Sequence, residues 1–366
     1  MRRAATLLAF VLLSTSFAAA AQTRLGVTTV AEGLSSPWGL AFLPDGRMLV
    51  TERPGRLRIV ERDGRVGATV AGVPKVDARG QGGLLDVALD PAFATNGRVY
   101  LSFSEPGDGG NATAVARGRL DGSRLEDVRV IFRQNDRYAG TNHFGSRLVF
   151  DRDGHLFVTL GDRYARRDDA QRLSSHLGKV VRIDTDGRAP ADNPFLKTAN
   201  ARPEIWSLGH RNVQGAALHP VTGELWTHEH GPQGGDEVNV TLPGRNYGWP
   251  VVTRGVEYGS GKAIGEGARK DGMEDAVTTW VPSVAPSGMA FLTSDRYPGW
   301  KGNLFVGTLR EQKLVRLELD GRRVVREERL LGDLRERLRD VRQGPDGWLY
   351  ALTDSPDGRL LRLTPR

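Results

Sequence analysis

The chain has 366 residues and no cysteine, and its 51 Lys and Arg outnumber its 44 Asp and Glu to give a formal charge of +7. The lack of cysteine excludes disulfide frameworks, thiolate zinc sites, iron–sulfur clusters and thiol nucleophiles. Gly and Pro together make up about 18 % of the residues, against roughly 12 % on average, which indicates a globular protein with many turns.

The N-terminal residues have the pattern of a secretory signal. Arg2 and Arg3 precede an apolar run over 4–17, and small residues at 18–21 precede Gln22. This pattern predicts a signal peptide over 1–21, whose cleavage leaves 22–366 as a single exported, soluble domain without membrane insertion. An uncleaved anchor is the alternative, although the run is short for a membrane span. Export and the mixing of basic with acidic residues argue against nucleic acid as a partner.

One pattern recurs six times in the rest of the chain: a small turn containing Gly, followed by alternating apolar residues. The copies begin at Asp45-Gly46, Asn96-Gly97, Asp153-Gly154, Thr222-Gly223, Gly302-Asn303 and Asp346-Gly347. A Gly turn of this kind between two apolar runs predicts a β-hairpin. Such a repeat, spaced by several tens of residues, is typical of an architecture built from one repeated unit.

Each turn lies between predicted strands. The leading strands are predicted at 38–42, 86–89, 147–150, 216–218, 289–291 and 340–342, and the trailing strands at 56–60, 113–120, 179–183, 237–240, 313–319 and 359–363. A fourth strand falls between copies, for example at 66–70 and 128–132. We therefore predict an all-β, six-bladed β-propeller with four-stranded antiparallel blades, in which the N-terminal strand at 25–32 closes the ring. Two stacked β-sandwiches are the alternative, but they do not predict six copies in phase.

Unusual polar residues occupy two sets of loops, those that enter the first strand of a blade and those that join its second and third strands. Both sets are expected over one mouth of the central channel. They include four arginines, Arg211, Arg310, Arg337 and Arg339. Four arginines at one mouth would repel one another unless an anion lies among them, so we predict a small ligand with several carboxylates.

A turn rich in Gly and Pro lies between His228 and Glu237. Its carbonyl groups, with Asp236 and Glu237 close behind, favour a hard, oxygen-binding cation such as Ca²⁺. A transition-metal site on His228 and His230 is the alternative, weakened by the lack of a third well-placed histidine.

Taken in order, these motifs resemble the soluble sugar dehydrogenases that depend on pyrroloquinoline quinone (PQQ), which are six-bladed propellers of bacterial periplasms, and among them the aldose sugar dehydrogenase branch. The resemblance extends from Ser36 to the final blade. Its most specific motifs are Gly80-Gln81-Gly82-Gly83, Asn142-His143, Leu208-Gly209-His210-Arg211-Asn212, Glu229-His230-Gly231-Pro232 with Asp236-Glu237, Asn246-Tyr247-Gly248-Trp249-Pro250, and Arg337-Leu338-Arg339-Asp340.

The resemblance implies a periplasmic enzyme that oxidises aldoses at C1 to lactones, with hydride transfer to PQQ activated by Ca²⁺. It implies that His143 is the general base and that Asp162 orients and polarises it. The residues implied around the cofactor are Gln81, Arg211, Asn212, Tyr258, Arg310, Arg337 and Arg339. The carbonyls of Gly231 and Pro232 would hold the Ca²⁺ that also binds the cofactor, and Glu237 and Tyr247 would belong to a second, structural calcium site.

Two departures from the glucose-specific members bear on the substrate. Those members carry an acidic residue where Asn142 stands, which argues against a preference for glucose, so we expect broad aldose specificity. They carry a Lys where Arg310 stands, which keeps the charge but changes its reach. The electron acceptor, whether quinone, cytochrome or dye, and the choice between monomer and homodimer stay open. Two other functions are alternatives: a calcium-dependent propeller lactonase, which has no use for four arginines, and a non-catalytic binding propeller, which needs no intact His143.

Overall fold

The structure, a computed structural model, describes residues 24–366, so the signal peptide predicted at 1–21 lies outside the described residues. Within 24–366 the chain forms six sheets of four antiparallel strands. The innermost strands of successive sheets contact one another, and the last contacts the first, so the six sheets form a closed ring. This confirms the six-bladed propeller, and the alternative of two stacked sandwiches is wrong.

In every blade the strands follow one another from the channel outward, and the first strand of the chain, β1 (Leu25–Leu34), belongs to the last blade. Blade 1 contains β2 (Pro37–Phe42), β3 (Met48–Glu52), β4 (Arg56–Val60) and β5 (Val66–Val70). Blade 2 contains β6 (Leu84–Leu89), β7 (Arg98–Gly107), β8 (Gly110–Asp121) and β9 (Arg124–Arg133). Blade 3 contains β10 (Leu148–Phe150), β11 (Leu156–Thr159), β12 (Lys179–Ile183) and β13 (Ile205–Leu208).

Blade 4 contains β14 (Val213–Leu218), β15 (Leu225–Glu229), β16 (Asp236–Val240) and β17 (Thr278–Trp280). Blade 5 contains β18 (Pro286–Phe291), β19 (Leu304–Thr308), β20 (Leu314–Asp320) and β21 (Arg323–Leu330). Blade 6 contains β22 (Leu338–Gln343), β23 (Leu349–Thr353), β24 (Gly358–Pro365) and β1. Helix α1 (Phe93–Asn96) and a 3₁₀ turn (Arg167–Gln171) lie in connecting loops, and none of the helices described is long and apolar enough to cross a membrane.

The N-terminal strand closes the ring, as predicted. β1 pairs with β24 in antiparallel register from Leu25 opposite Pro365 to Leu34 opposite Gly358. The outer strand of the last blade thus comes from the start of the chain, and the ring is held by ordinary backbone hydrogen bonds at its seam.

The apolar core lies between adjacent blades. Leu49 and Leu57 of blade 1, for example, pack with Val87 and Leu101 of blade 2, and all four side chains are buried. Burying an aliphatic side chain of this size stabilises the fold by about 1.5–3 kcal/mol. These layers fix the inner strands, and with them the loops at the channel mouth.

Charged side chains fill the middle of the channel. The buried Arg147 bonds to Asp86 and to Asp340, each at 3.1 Å, and its guanidinium stacks 4.2 Å from the ring centre of Trp38. Asp86 fits because residue 39 is Gly: a Cβ there would lie 2.6 Å from its carboxylate. Each of these buried charges has an opposite partner, as low-dielectric interiors require.

Candidate active site

The predicted base and its acid partner meet on one face of the ring. His143 lies in the loop before β10, and Asp162 follows β11. His143 Nδ1 is 2.6 Å from Asp162 Oδ1, and both side chains are buried. Gly161 permits this approach, because a Cβ at that position would lie 2.1 Å from the carbonyl oxygen of His143. With Nδ1–H donated to Asp162, Nε2 is the nitrogen left to accept a proton.

The surroundings keep the imidazole neutral. Burial lowers the pKa of His143 below its ordinary value of 6.5; Asp162 opposes this, while the positive charges of Arg211 and Arg163 add to the lowering. A neutral imidazole at pH 7 can act as a general base, and the adjacent carboxylate can stabilise the imidazolium that forms.

Gln81 fixes the backbone at the base. Its Oε1 accepts the N–H of His143 at 2.8 Å. His143 has a φ of 53°, in the left-handed region that an L residue adopts only when its surroundings hold it there. Gln81 therefore contributes to the position of His143, a contact that sequence patterns alone did not indicate.

An axial cavity of about 260 Å³ lies beside this pair, slightly smaller than the usual range for ligand pockets of about 300–1,000 Å³. It brings together four of the predicted cofactor residues, Gln81, Asn212, Arg337 and Arg339. Trp38, Leu85 and Phe144 also line it. A cavity with both apolar walls and guanidinium groups suits a flat ring that carries carboxylates.

The repulsion expected among the four arginines is partly offset within the chain. Asp354 Oδ2 pairs with Arg337 at 2.6 Å, and its Oδ1 pairs with Arg339 at 2.9 Å. One carboxylate of this chain thus offsets one of these two positive charges, which reduces the repulsion without removing it. Both remain at the cavity wall, and Arg337 is about half exposed, so their N–H groups can still reach a ligand.

Arg211 and Tyr258 contact the Gly-Pro turn and are not among the residues that line the axial cavity. Arg211 Nη1 donates to the carbonyl of Gly231 at 2.6 Å, and its guanidinium lies 6.0 Å from the ring centre of Tyr258. The hydroxyl of Tyr258 donates to the carbonyl of Pro232 at 3.0 Å. Arg310 lies in the β19–β20 loop, is exposed, and has its Nη1 3.3 Å from the carbonyl of Ser283.

Three of the four predicted calcium ligands line a second cavity of about 10 Å³: Gly231, Glu237 and Tyr247. This is room for one ion or one water. Pro232 is not among its lining residues. Since the hydroxyl of Tyr247 donates to the carbonyl of Val240 and accepts the N–H of Leu242, Tyr247 would contribute its carbonyl oxygen to a metal.

The donor set of this small cavity suits a hard cation. Glu229 adds a second carboxylate to its wall, and the buried Oδ1 of Asn239 nearby has no hydrogen-bond partner. Burial, followed by the negative charge of Glu229, raises the pKa of Glu237 to about 8. An unpaired oxygen and crowded carboxylates are the surroundings that a divalent cation relieves.

Three side-chain contacts of the site were not indicated by the sequence. The indole N–H of Trp249 donates to Asp162 Oδ2 at 2.8 Å. The exposed Tyr164 meets the ring of His143 edge to face at 5.3 Å. The carboxylate of Asp354 forms ion pairs with both Arg337 and Arg339. Trp249 belongs to one of the sequence motifs, and Asp354 is a carboxylate in a predicted loop. No spacing rule connects either residue to the partner that it contacts.

Comparison with known proteins agrees with this geometry. The model of the Glucose / Sorbosone dehydrogenase family matches residues 34–362. Aldose sugar dehydrogenase YliI of Escherichia coli (strain K12) is 48% identical over 353 residues, which is 95% of each chain. The apo-form of the soluble aldose sugar dehydrogenase from Escherichia coli superposes with a TM-score of 0.91 at 47% identity, covering 94% of this chain and 100% of that one.

The PQQ-bound form of aldose sugar dehydrogenase from Streptomyces coelicolor superposes with a TM-score of 0.79 at 31% identity, covering 94% of this chain and 99% of that one. The family match and these similarities extend over nearly all of the described chain. The chain therefore belongs to the glucose/sorbosone dehydrogenase family and is an oxidoreductase.

Proposed function

We propose that this protein oxidises aldose sugars at C1 to lactones, with PQQ as the hydride acceptor and Ca²⁺ as a bound metal. The observation that carries the proposal is the buried His143–Asp162 pair beside a cavity that presents Arg337 and Arg339. The aldose sugar dehydrogenase name of the Escherichia coli relative and the PQQ-bound form of the Streptomyces coelicolor protein support it.

The residues present fit the cofactor. PQQ is a flat quinone with three carboxylates, and Arg is suited to bidentate contact with a carboxylate. Arg337 and Arg339 at the cavity wall and Arg310 in the nearby loop would hold these carboxylates. Gln81, Arg211, Asn212 and Tyr258 would surround the ring system. When bound, the cofactor supplies a two-electron acceptor, made more electrophilic by Ca²⁺.

The chain's own part in the reaction is proton transfer. The sugar would place its C1 hydroxyl at Nε2 of His143, which removes the hydroxyl proton as the hydrogen on C1 leaves with its electron pair. C1 thereby becomes the carbonyl carbon of a lactone. Asp162 holds the Nδ1–H tautomer of His143 and stabilises the imidazolium until Nε2 returns its proton to solvent.

For the second, structural calcium ion, we propose that Glu237 contributes its carboxylate and Tyr247 its carbonyl oxygen, in the small cavity that both residues line. The carbonyl of Pro232 would join Gly231 in the contact with the cofactor-bound ion that the family resemblance implies. All of these ligands are oxygen atoms, which Ca²⁺ prefers.

We further propose that residues 1–21 are removed on export to the periplasm and that 22–366 act as one catalytic domain, monomeric or homodimeric. Electrons would pass to an external acceptor such as a quinone, a cytochrome or a dye. The dehydrogenase is favoured over a propeller lactonase because Arg337 and Arg339 line the axial cavity, where a lactonase has no use for them. An intact His143–Asp162 pair argues against a non-catalytic propeller.

The proposal is tested with the purified chain, loaded with PQQ and Ca²⁺ and supplied with an artificial dye and a panel of aldoses. We expect sugar-dependent dye reduction and lactone formation in equal amounts, with several aldoses accepted. The His143→Gln protein, shown by absorbance to carry PQQ, is the matched control and should be inactive. Absence of sugar-dependent reduction in cofactor-loaded wild-type protein would refute the function.

A further inference from the structure

Trp249 belongs to the Asn246–Pro250 motif, and the function proposed above gives it no role. Its indole Nε1–H donates to Asp162 Oδ2 at 2.8 Å, across 87 residues of sequence, and both side chains are buried. The bond is therefore made inside the protein, where water does not compete for the carboxylate.

The backbone and ring of Trp249 are fixed independently of Asp162. Its N–H donates to the carbonyl of Gly209 at 2.9 Å, and its carbonyl accepts from Gln171 Nε2 at 2.7 Å. The ring packs in a small buried cluster with Ala170 and Ile264. Because these contacts set the indole in place, its N–H is presented to Asp162 in a single direction.

Asp162 in turn is held at both carboxylate oxygens. Oδ1 accepts Nδ1–H of His143 at 2.6 Å and the backbone N–H of Tyr164 at 2.7 Å, while Oδ2 accepts the N–H of Trp249. Without the third bond, Oδ2 would be a buried carboxylate oxygen with an unmet hydrogen-bonding demand, and the carboxylate could turn about its Cβ–Cγ bond.

Trp249 also contacts the cofactor side of the site. The guanidinium of Arg211 lies 5.4 Å from the centre of the indole ring, and the carbonyl of Arg211 accepts the N–H of Asp162 at 2.8 Å. One side chain thus adjoins both the base pair and an arginine proposed to flank the cofactor.

We infer that Trp249 is a positioning residue: its indole N–H locks the carboxylate of Asp162 in the orientation that aims Nε2 of His143 at the substrate. This inference rests on the proposed role of His143 as the base. Trp249 touches neither the reacting atoms nor the transferred proton, so its contribution is geometric, and a shift of the base by a fraction of an ångström is enough to slow proton removal.

The test removes the N–H and keeps an aromatic ring. Trp249→Phe is the first variant, and site-specific replacement of Trp249 by benzothienylalanine, which has sulfur in place of the N–H, is the second and keeps the shape of the side chain. Ile264→Val is the matched control, because it loosens the packing against the same ring and leaves the N–H intact.

Two quantities are measured. The first is the downfield proton NMR resonance of His143 Nδ1–H in cofactor-free protein, assigned by its absence from His143→Gln. The second is kcat with an aldose in the loaded enzyme. We expect both Trp249 variants to move the resonance upfield or broaden it, and to lower kcat about 10- to 100-fold with less than a threefold change in KM. Ile264→Val should leave both unchanged.

The inference requires that the resonance of His143 Nδ1–H and kcat both change in the Trp249 variants. It is overturned if the benzothienylalanine protein keeps the wild-type resonance or the wild-type kcat, or if Ile264→Val reproduces the effects. The charged groups around the pair, Arg163, Arg167 and Arg211, are the same in every variant. Failure of the wild-type enzyme to oxidise any aldose would instead refute the proposed function, and the NMR measurement separates the two cases.

Discussion

The Nδ1 atom of His143 lies 2.6 Å from Oδ1 of Asp162, with both side chains buried beside the axial cavity. Because the charge of Asp162 supports the proton that His143 takes up, we expect Asp162→Asn to lower kcat about 10³-fold and His143→Gln to lower it further. Both variants should bind PQQ with wild-type affinity in an absorbance titration. Near-normal turnover in His143→Gln would show that another group is the base.

The direction of the pKa shift of His143 sets the acid limb of the pH profile. The base works when unprotonated, and burial lowers the pKa of His143 below 6.5, so kcat/KM should fall only below that pH and should be level near pH 7. Since Asp162 raises the pKa of His143, the Asp162→Asn enzyme should show its acid limb at a still lower pH. Measurements of kcat/KM between about pH 4.5 and 8 test this prediction. An acid limb with its midpoint above about pH 6.5 would contradict it.

We expect Arg337 and Arg339 to contribute more to PQQ binding than to the rate of the chemical step. Losing a charged hydrogen bond of about 1.5–3 kcal/mol weakens affinity roughly 10- to 100-fold, so Arg339→Ala should raise the dissociation constant for PQQ by that factor, and the double alanine variant by more. Arg335→Ala, in the same loop and outside the lining of the axial cavity, is the control. Equal PQQ affinity in Arg339→Ala and Arg335→Ala would rule out this role.

Glu237 makes calcium binding depend on pH. Its pKa is raised to about 8 in the folded protein, so without metal the fold favours the protonated acid and loses stability as pH rises from about 4.5 through 8. Calcium needs the ionised acid, so its affinity should rise about tenfold for each pH unit as the pH increases toward 8 and then level off. The rise in Tm on adding Ca²⁺ in place of a chelator should therefore be larger at about pH 8.5 than at about pH 6.

The control for this prediction is Glu237→Gln, which keeps the shape of the side chain and removes its proton equilibrium. In this variant the effect of calcium on Tm should be small and the same at both pH values. A pH-dependent calcium effect that persists in Glu237→Gln would assign the titration to another group.

Much of the fold could be predicted because it depends on local patterns. The predicted strands at 56–60 and 66–70 agree with β4 and β5 at both ends, and the strand predicted at 25–32 is β1, which closes the ring. The convergence of Gln81, Asn212 and Arg339 followed from strand order alone, since every blade directs the same loops to the same face.

The rest depended on side-chain directions that a linear pattern does not contain. The bond from Trp249 to Asp162 spans blades and requires the long loop between β16 and β17 to fold back over the ring. In the sequence, Asp354 is one of many polar loop residues. In the structure it lies between Arg337 and Arg339 and lowers the net positive charge at the channel mouth. Both relationships arise from tertiary packing.

The pairing of β1 with β24 joins the first described strand of the chain to the last. The backbone N–H of Arg366 donates to the carbonyl of Arg24 at 2.9 Å, at the very end of the chain. During synthesis blade 6 cannot be completed until β24 has been made, and the loop that carries Arg337 and Arg339 leads into that blade. A chain that ends at residue 357 would lack β24 and leave β1 and β23 as two open edges, ready to pair with another molecule.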